Sequence, residues 1–179
     1  MGLSVGVKNG IAGTRRGLDV SEWVNPRARA VGAEVYLEKN GKPSRGYLLR
    51  RRRKARFKTW LRMRVDAGDR IVLVGKSMGA HDILSAVEEV GCWEHCCALV
   101  FDPACSLQRG ERHTRFLTRG DWVTVVRQGG YRSGYRVDGA ADYVISARHK
   151  TIERTRKAQD IGNNWLARQG LPRVRRAIS

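Results

Sequence analysis

Short apolar runs recur along the chain, separated by longer stretches in which apolar residues return every three or four positions. Residues 3–7 form the first run, closed by the turn-like Asn9-Gly10-Ile11-Ala12-Gly13. Residues 33–38 form the second, ended by Asn40-Gly41 and Pro43. Residues 70–74 are apolar without interruption after Arg70, the mark of a strand covered on both faces. Residues 97–101, 122–126 and 143–146 read as three further strands. Helical spacing occupies residues 18–31, where Pro26 must start, kink or break the helix, and residues 47–65. It returns in residues 78–90, with Ile83, Leu84, Val87 and Val90 on one stripe, and in residues 151–168, with Ile152, Ile161, Trp165 and Leu166 facing inward. Strands alternating with helices predict an α/β fold, a mainly parallel sheet of about six strands joined by crossovers and flanked by helices. The glycine-rich residues 128–139, between the last two strands, are long for a structureless connection.

Length and charge narrow this picture. With 179 residues, 41% of them hydrophobic, the chain suits one compact domain, expected over residues 1–170, followed by a basic tail at 171–179. No run of about 18 apolar residues exists, and residues 1–17 lack the charged and apolar regions of a signal peptide. The expectation is a chain without a transmembrane segment or signal peptide, cytoplasmic or virion-associated. Gly6 stands where a myristoylation signal needs Ser or Thr. The 35 Lys plus Arg against 17 Asp plus Glu leave a formal charge of +18, which suits an anionic partner: nucleic acid, phospholipid or an acidic polymer. Nine of the fifteen residues 50–64 are basic, and Arg50, Arg51, Arg52, Arg53, Lys54, Arg56 and Lys58 are the anion-binding candidates. Phe57, Trp60, Leu61 and Val65 fall on one helical face there, so the same charges also fit a solvated face covering the sheet. Cys92, Cys96, Cys97 and Cys105 lack the paired C-x2-C spacing of a zinc site, so buried free thiols are expected, with no metal and no cofactor.

Candidate chemistry centres on Gly75-Lys76-Ser77-Met78-Gly79, where the third strand meets its helix. A serine at such a junction suits a nucleophile, with Gly75 and Gly79 permitting a sharp turn and the Met78 amide available to a developing oxyanion. A hydroxyl needs a base, and the base an orienting acid. His149 follows the last predicted strand, at the same sheet edge as Ser77. His81 lies on the helix after the serine, His95 precedes a strand at the opposite edge, and His113 falls in a polar loop. Asp102 ends the neighbouring strand before Pro103, a setting that equally suits an Asp-Pro turn; Asp138 is the reserve acid, and Asp121 begins its strand at the wrong edge. The Ile11 amide, after Asn9-Gly10, is the candidate second oxyanion donor, or part of an ordinary glycine turn.

Three stretches together resemble the alpha/beta-hydrolase superfamily, lipase and esterase branch. "GKSMGAH" is similar to the Gly-His-Ser-Leu-Gly-Ala-His elbow of pancreatic-lipase-like enzymes, "VFDPA" to their Asp-Pro-Ala segment, and "NGIAG" to the His-Gly-x-x-Gly oxyanion loop. Lys76 and Asn9 stand where those motifs carry histidine. The resemblance implies a minimal alpha/beta-hydrolase of cutinase-like size with an open site. Its expected activity is cleavage of small-molecule or polymeric carboxylic esters or thioesters through Ser77, His149 and Asp102. The alternative is a catalytically silent hydrolase fold serving as a basic nucleic-acid-binding or structural component of a virion or nucleoid.

Overall fold

The computed structural model describes residues 2–9, 20–37, 50–102, 113–118, 142–148 and 151–173. Strands β1 (Leu3–Lys8), β2 (Glu34–Leu37), β3 (Arg70–Lys76), β4 (Cys96–Phe101), β5 (His113–Thr118) and β6 (Asp142–Ile145) form one sheet. Their order is β2-β1-β3-β4-β5-β6, and every neighbouring pair is parallel. The helices are α1 (Val20–Ala30), α2 (Arg50–Asp66), α3 (Met78–Val90) and α4 (Arg156–Arg168), with a 3-10 turn at Ile152–Arg154.

The continuous apolar character of β3 follows from cover on both faces. Its Ile71 and Leu73 join Phe57, Trp60 and Leu61 of α2 and Ile83, Leu84 and Val87 of α3 in one core. Its Val72 and Val74 join Val20, Val24 and Ala28 of α1 and Ala158, Trp165 and Leu166 of α4 in the other. Full burial of each Val, Leu, Ile or Phe among them contributes roughly 1.5–3 kcal/mol, so both helical layers are required to keep the sheet out of water. Pro26 lies inside α1 rather than at its start. Glu22, whose carbonyl thereby loses its helical donor, is exposed, so water can serve it.

Three sequence expectations need correction. The fifth strand is residues 113–118, so His113 opens a strand instead of lying in a polar loop; residues 122–126 and 128–139 lie outside the described residues. Its sequence, HTRFLT, holds too few apolar residues to stand out. The final helix is not continuous from residue 151. Thr155 leaves helical geometry at φ −65° and ψ 139°, and its hydroxyl accepts from the Ala158 amide at 3.3 Å, an N-cap that restarts the chain as α4. Leu171, expected to open a basic tail, is fully buried, and its carbonyl accepts from Arg27 Nη1 at 3.3 Å.

Candidate functional site

The chain moves from β1 outward to β2, then returns to place β3 on the other side of β1. Between β1 and β3 the direction of winding reverses, and in open α/β sheets ligands bind at the carboxyl edge beside such a reversal. Ser77 is at that edge. It is the sole residue between β3 and α3, with φ 53° and ψ −122°. Its N–H donates to the Phe101 carbonyl of β4 at 2.9 Å, and its carbonyl accepts from the His81 N–H at 3.2 Å. Its side chain caps no amide of α3. Met78, the first residue of α3, brings its N–H to the positive end of that helix.

The two glycines show why so abrupt a turn fits. A Cβ on Gly75 would lie 2.8 Å from Ala80 Cα, and one on Gly79 would lie 2.6 Å from the Asn9 carbonyl oxygen. Gly75 therefore lets α3 fold back over the end of β3, and Gly79 lets it press on the end of β1. The second contact brings the start of the Asn9-Gly10-Ile11 stretch beside Ser77. Ile11 itself lies outside the described residues.

Asp102 occupies the equivalent position one strand away. β3 and β4 pair through Lys76 and Phe101, and the next residues are Ser77 and Asp102. Asp102 is 1% exposed and has φ 45°. Among the described residues, Ser77 and Asp102 are the two non-glycine positions with positive φ. Strain of this kind concentrates at functional sites, because the surrounding structure must be arranged to hold it.

His149 lies outside the described residues, but the chain on both sides of it is described. The Thr151 N–H donates to the Arg148 carbonyl at 2.9 Å. Four residues beyond position 149, Glu153 Oε1 lies 2.5 Å from Lys76 Nζ, with both side chains largely buried. Glu153 therefore lies at the carboxyl edge against the residue preceding Ser77, although β6 is the far edge of the sheet. His95 sits at the other edge, before β4, where its carbonyl accepts from the Ile71 N–H at 2.8 Å. Asp121, Asp138 and Cys105 lie outside the described residues.

Sequence reasoning missed a second ion pair beneath this edge. Lys8 closes β1 with no exposed surface; its Nζ is 3.6 Å from Asp82 Oδ2 and 5.1 Å from the centroid of the Phe57 ring. A lysine ending an otherwise apolar run was the one available signal. Removing two charges from water is costly unless they meet, so the pair ties β1 to α3 directly below the turn.

Among the described cysteines, Cys92 and Cys96 are buried free thiols with their sulfurs 3.7 Å apart. Their contact lowers the Cys92 pKa, whereas that contact and burial raise Cys96. No cluster of three metal-binding side chains occurs among the described residues, and none of the helices there is long and apolar enough to cross a membrane.

A six-stranded parallel sheet between helical layers, with a strained serine where β3 turns into α3, defines an alpha/beta-hydrolase-like fold. Solved structures share it along nearly their whole length. One is a protein from Xanthomonas campestris pv. campestris assigned to the alpha/beta hydrolase superfamily, with TM-score 0.63, 13% identity, and cover of 94% of this chain and 99% of that one. Another is a cutinase-like protein from Cryptococcus sp., with TM-score 0.57, 16% identity, and cover of 96% and 97%. A third, of unknown function, comes from Agrobacterium tumefaciens, with TM-score 0.58, 13% identity, and cover of 93% and 91%. No family model and no curated protein matches the sequence.

Proposed function

We propose that this protein is a serine hydrolase that cleaves carboxylic esters or thioesters through an acyl-enzyme. The observation that carries the proposal is the pairing of Ser77 and Asp102, both strained and side by side at the carboxyl edge where the winding reverses. The cutinase-like neighbour adds an ester as the substrate class to test first.

In this mechanism His149 accepts the Ser77 proton as Oγ attacks the carbonyl carbon, and the carbonyl π electrons move to oxygen. The Met78 and Ile11 amides hold the resulting oxyanion. Collapse expels the alcohol or thiol, which takes the proton from His149 and leaves an ester on Ser77. Water then repeats the sequence, releasing the acid and restoring the serine. Asp102 holds the imidazole in the tautomer that presents its free nitrogen to Ser77. Lys76 and Glu153 fasten the chain that carries the histidine.

A fluorophosphonate probe tests the reading, because it captures a serine activated in this way. Expected results are one adduct on Ser77, none on folded Ser77→Ala, and p-nitrophenyl ester turnover rising with pH through the histidine range. Absence of labelling on folded protein would overturn it.

A further inference from the structure

The outer face of α2 carries a charge pattern that folding does not account for. Its inner residues Phe57, Trp60 and Leu61 are consumed by the core. Of its cations, Lys54 and Lys58 are both held on Glu89, the latter at 2.9 Å. These hydrogen bonds, first from Lys54 and then from Lys58, keep the Glu89 carboxyl below its ordinary pKa. Arg64 is bonded to Glu34 and lies 3.7 Å from Asp69. Arg51, Arg52, Arg56 and Arg62 are exposed and meet no carboxylate among the described residues. At 100° per residue these four share the outward arc with Ala55, Thr59, Met63 and Asp66.

The helix breaks an electrostatic rule at its amino end. The first turn holds no acidic residue and opens with consecutive arginines, where the macrodipole favours anions, a mismatch of about 0.3–1 kcal/mol per charge. Bound anions would reverse it. The residues left over are all arginine, whose planar fork grips phosphate in two-point fashion. From Arg51 to Arg62 the helix rises about 16 Å, a length over which one duplex strand presents about five phosphates. A membrane surface fits less well. An interfacial helix buries an apolar face in lipid, whereas the apolar face of α2 is inside the protein and only Met63, 54% exposed, is a large apolar residue outside.

We infer that the exposed face of α2 docks on a nucleic acid, with Arg51, Arg52, Arg56 and Arg62 contacting backbone phosphates regardless of sequence. The proposal goes beyond the hydrolase reading and does not depend on Ser77. The test is the anisotropy of a short fluorescent DNA duplex titrated with full-length protein between about 50 and 200 mM salt. Neutralising all four as Arg51→Gln, Arg52→Gln, Arg56→Gln and Arg62→Gln should reduce the slope of log affinity against log salt by about 3–4. A charge-matched variant on the opposite layer, carrying Arg154→Gln, Arg156→Gln, Lys157→Gln and Arg168→Gln, should stay near wild type. If the α2 variant does not fold, the pairs 51/52 and 56/62 should each reduce the slope by about 1.8. Equal losses in the two variants would overturn the assignment to α2, because the binding would then follow total charge. Binding to phosphatidylserine vesicles without duplex binding would assign the face to a membrane and overturn the proposal, as would the absence of salt-dependent binding.

Discussion

Replacing Ser77 with glycine removes a Cβ from a backbone held at φ 53° and ψ −122°, a region that L-residues occupy at a cost of about 1–3 kcal/mol. The surrounding bonds keep the turn in place: Ser77 N–H to the Phe101 carbonyl, His81 N–H to the Ser77 carbonyl, and two glycines that admit α3. Glycine loses more chain entropy on folding, which returns roughly 0.5–1 kcal/mol of the gain. The proper reference is Ser77→Ala, since both variants lack the hydroxyl and only alanine keeps the strain. Ser77→Gly should therefore exceed Ser77→Ala in stability by about 0.5–2 kcal/mol, or about 1–8 °C in Tm for a domain of this size. Differential scanning calorimetry measures the difference, and near-ultraviolet circular dichroism checks that both variants pack alike. Neither should take the fluorophosphonate label. A glycine variant melting at or below the alanine variant would show that the turn stores no strain, and the strongest argument for a functional Ser77 would go with it.

Three further perturbations address the support around that turn. Glu153→Gln or Lys76→Met should slow fluorophosphonate labelling tenfold or more, since a displacement of about 1 Å at a reacting group can cost a hundredfold. The exchange Lys76→Glu with Glu153→Lys should recover part of that loss, and unchanged labelling in both single variants would remove the pair from the positioning role. Gly79→Ala puts a Cβ 2.6 Å from the Asn9 carbonyl oxygen, so about 1–3 kcal/mol should be lost in a urea melt. A neutral result there would mean that α3 can slide off β1. Asp82→Asn takes the countercharge from the fully buried Lys8 and should cost about 3–5 kcal/mol, whereas Lys8→Met with Asp82→Leu should stay near wild type. Equal destabilisation of the two would show that Lys8 and Asp82 serve the core through shape alone.

What could be read along the chain was whatever residue type and short-range spacing dictate. The limits of α3 are those its periodicity predicts, because its apolar stripe must meet the sheet and Gly91, at φ 71°, ends it in a left-handed conformation. β1, β3 and β4 stood out because strands covered on both faces are built almost wholly from apolar residues. The six-strand α/β class followed from their alternation with helices. The strand at 113–118 was not foreseen because HTRFLT carries polar residues at most positions, and the last helix was drawn too long because the Thr155 cap depends on a backbone bend that spacing does not record.

Other features required distant residues to meet. Neither residue type demands the positive φ seen at Ser77 and Asp102, and at Ser77 it goes with backbone bonds to β4 and α3. Lys8 is buried because Asp82 arrives from another element, and Lys76 meets Glu153, which comes from beyond β6 in the chain. The basic run at 50–64 looked uniform in sequence, yet the fold gave Lys54, Lys58 and Arg64 to Glu34, Asp69 and Glu89 and left Arg51, Arg52, Arg56 and Arg62 facing water. Local patterns are set by how a segment hides its own apolar side from water, whereas charge pairing and strain are set by what the rest of the molecule brings alongside, and only the folded chain decides that.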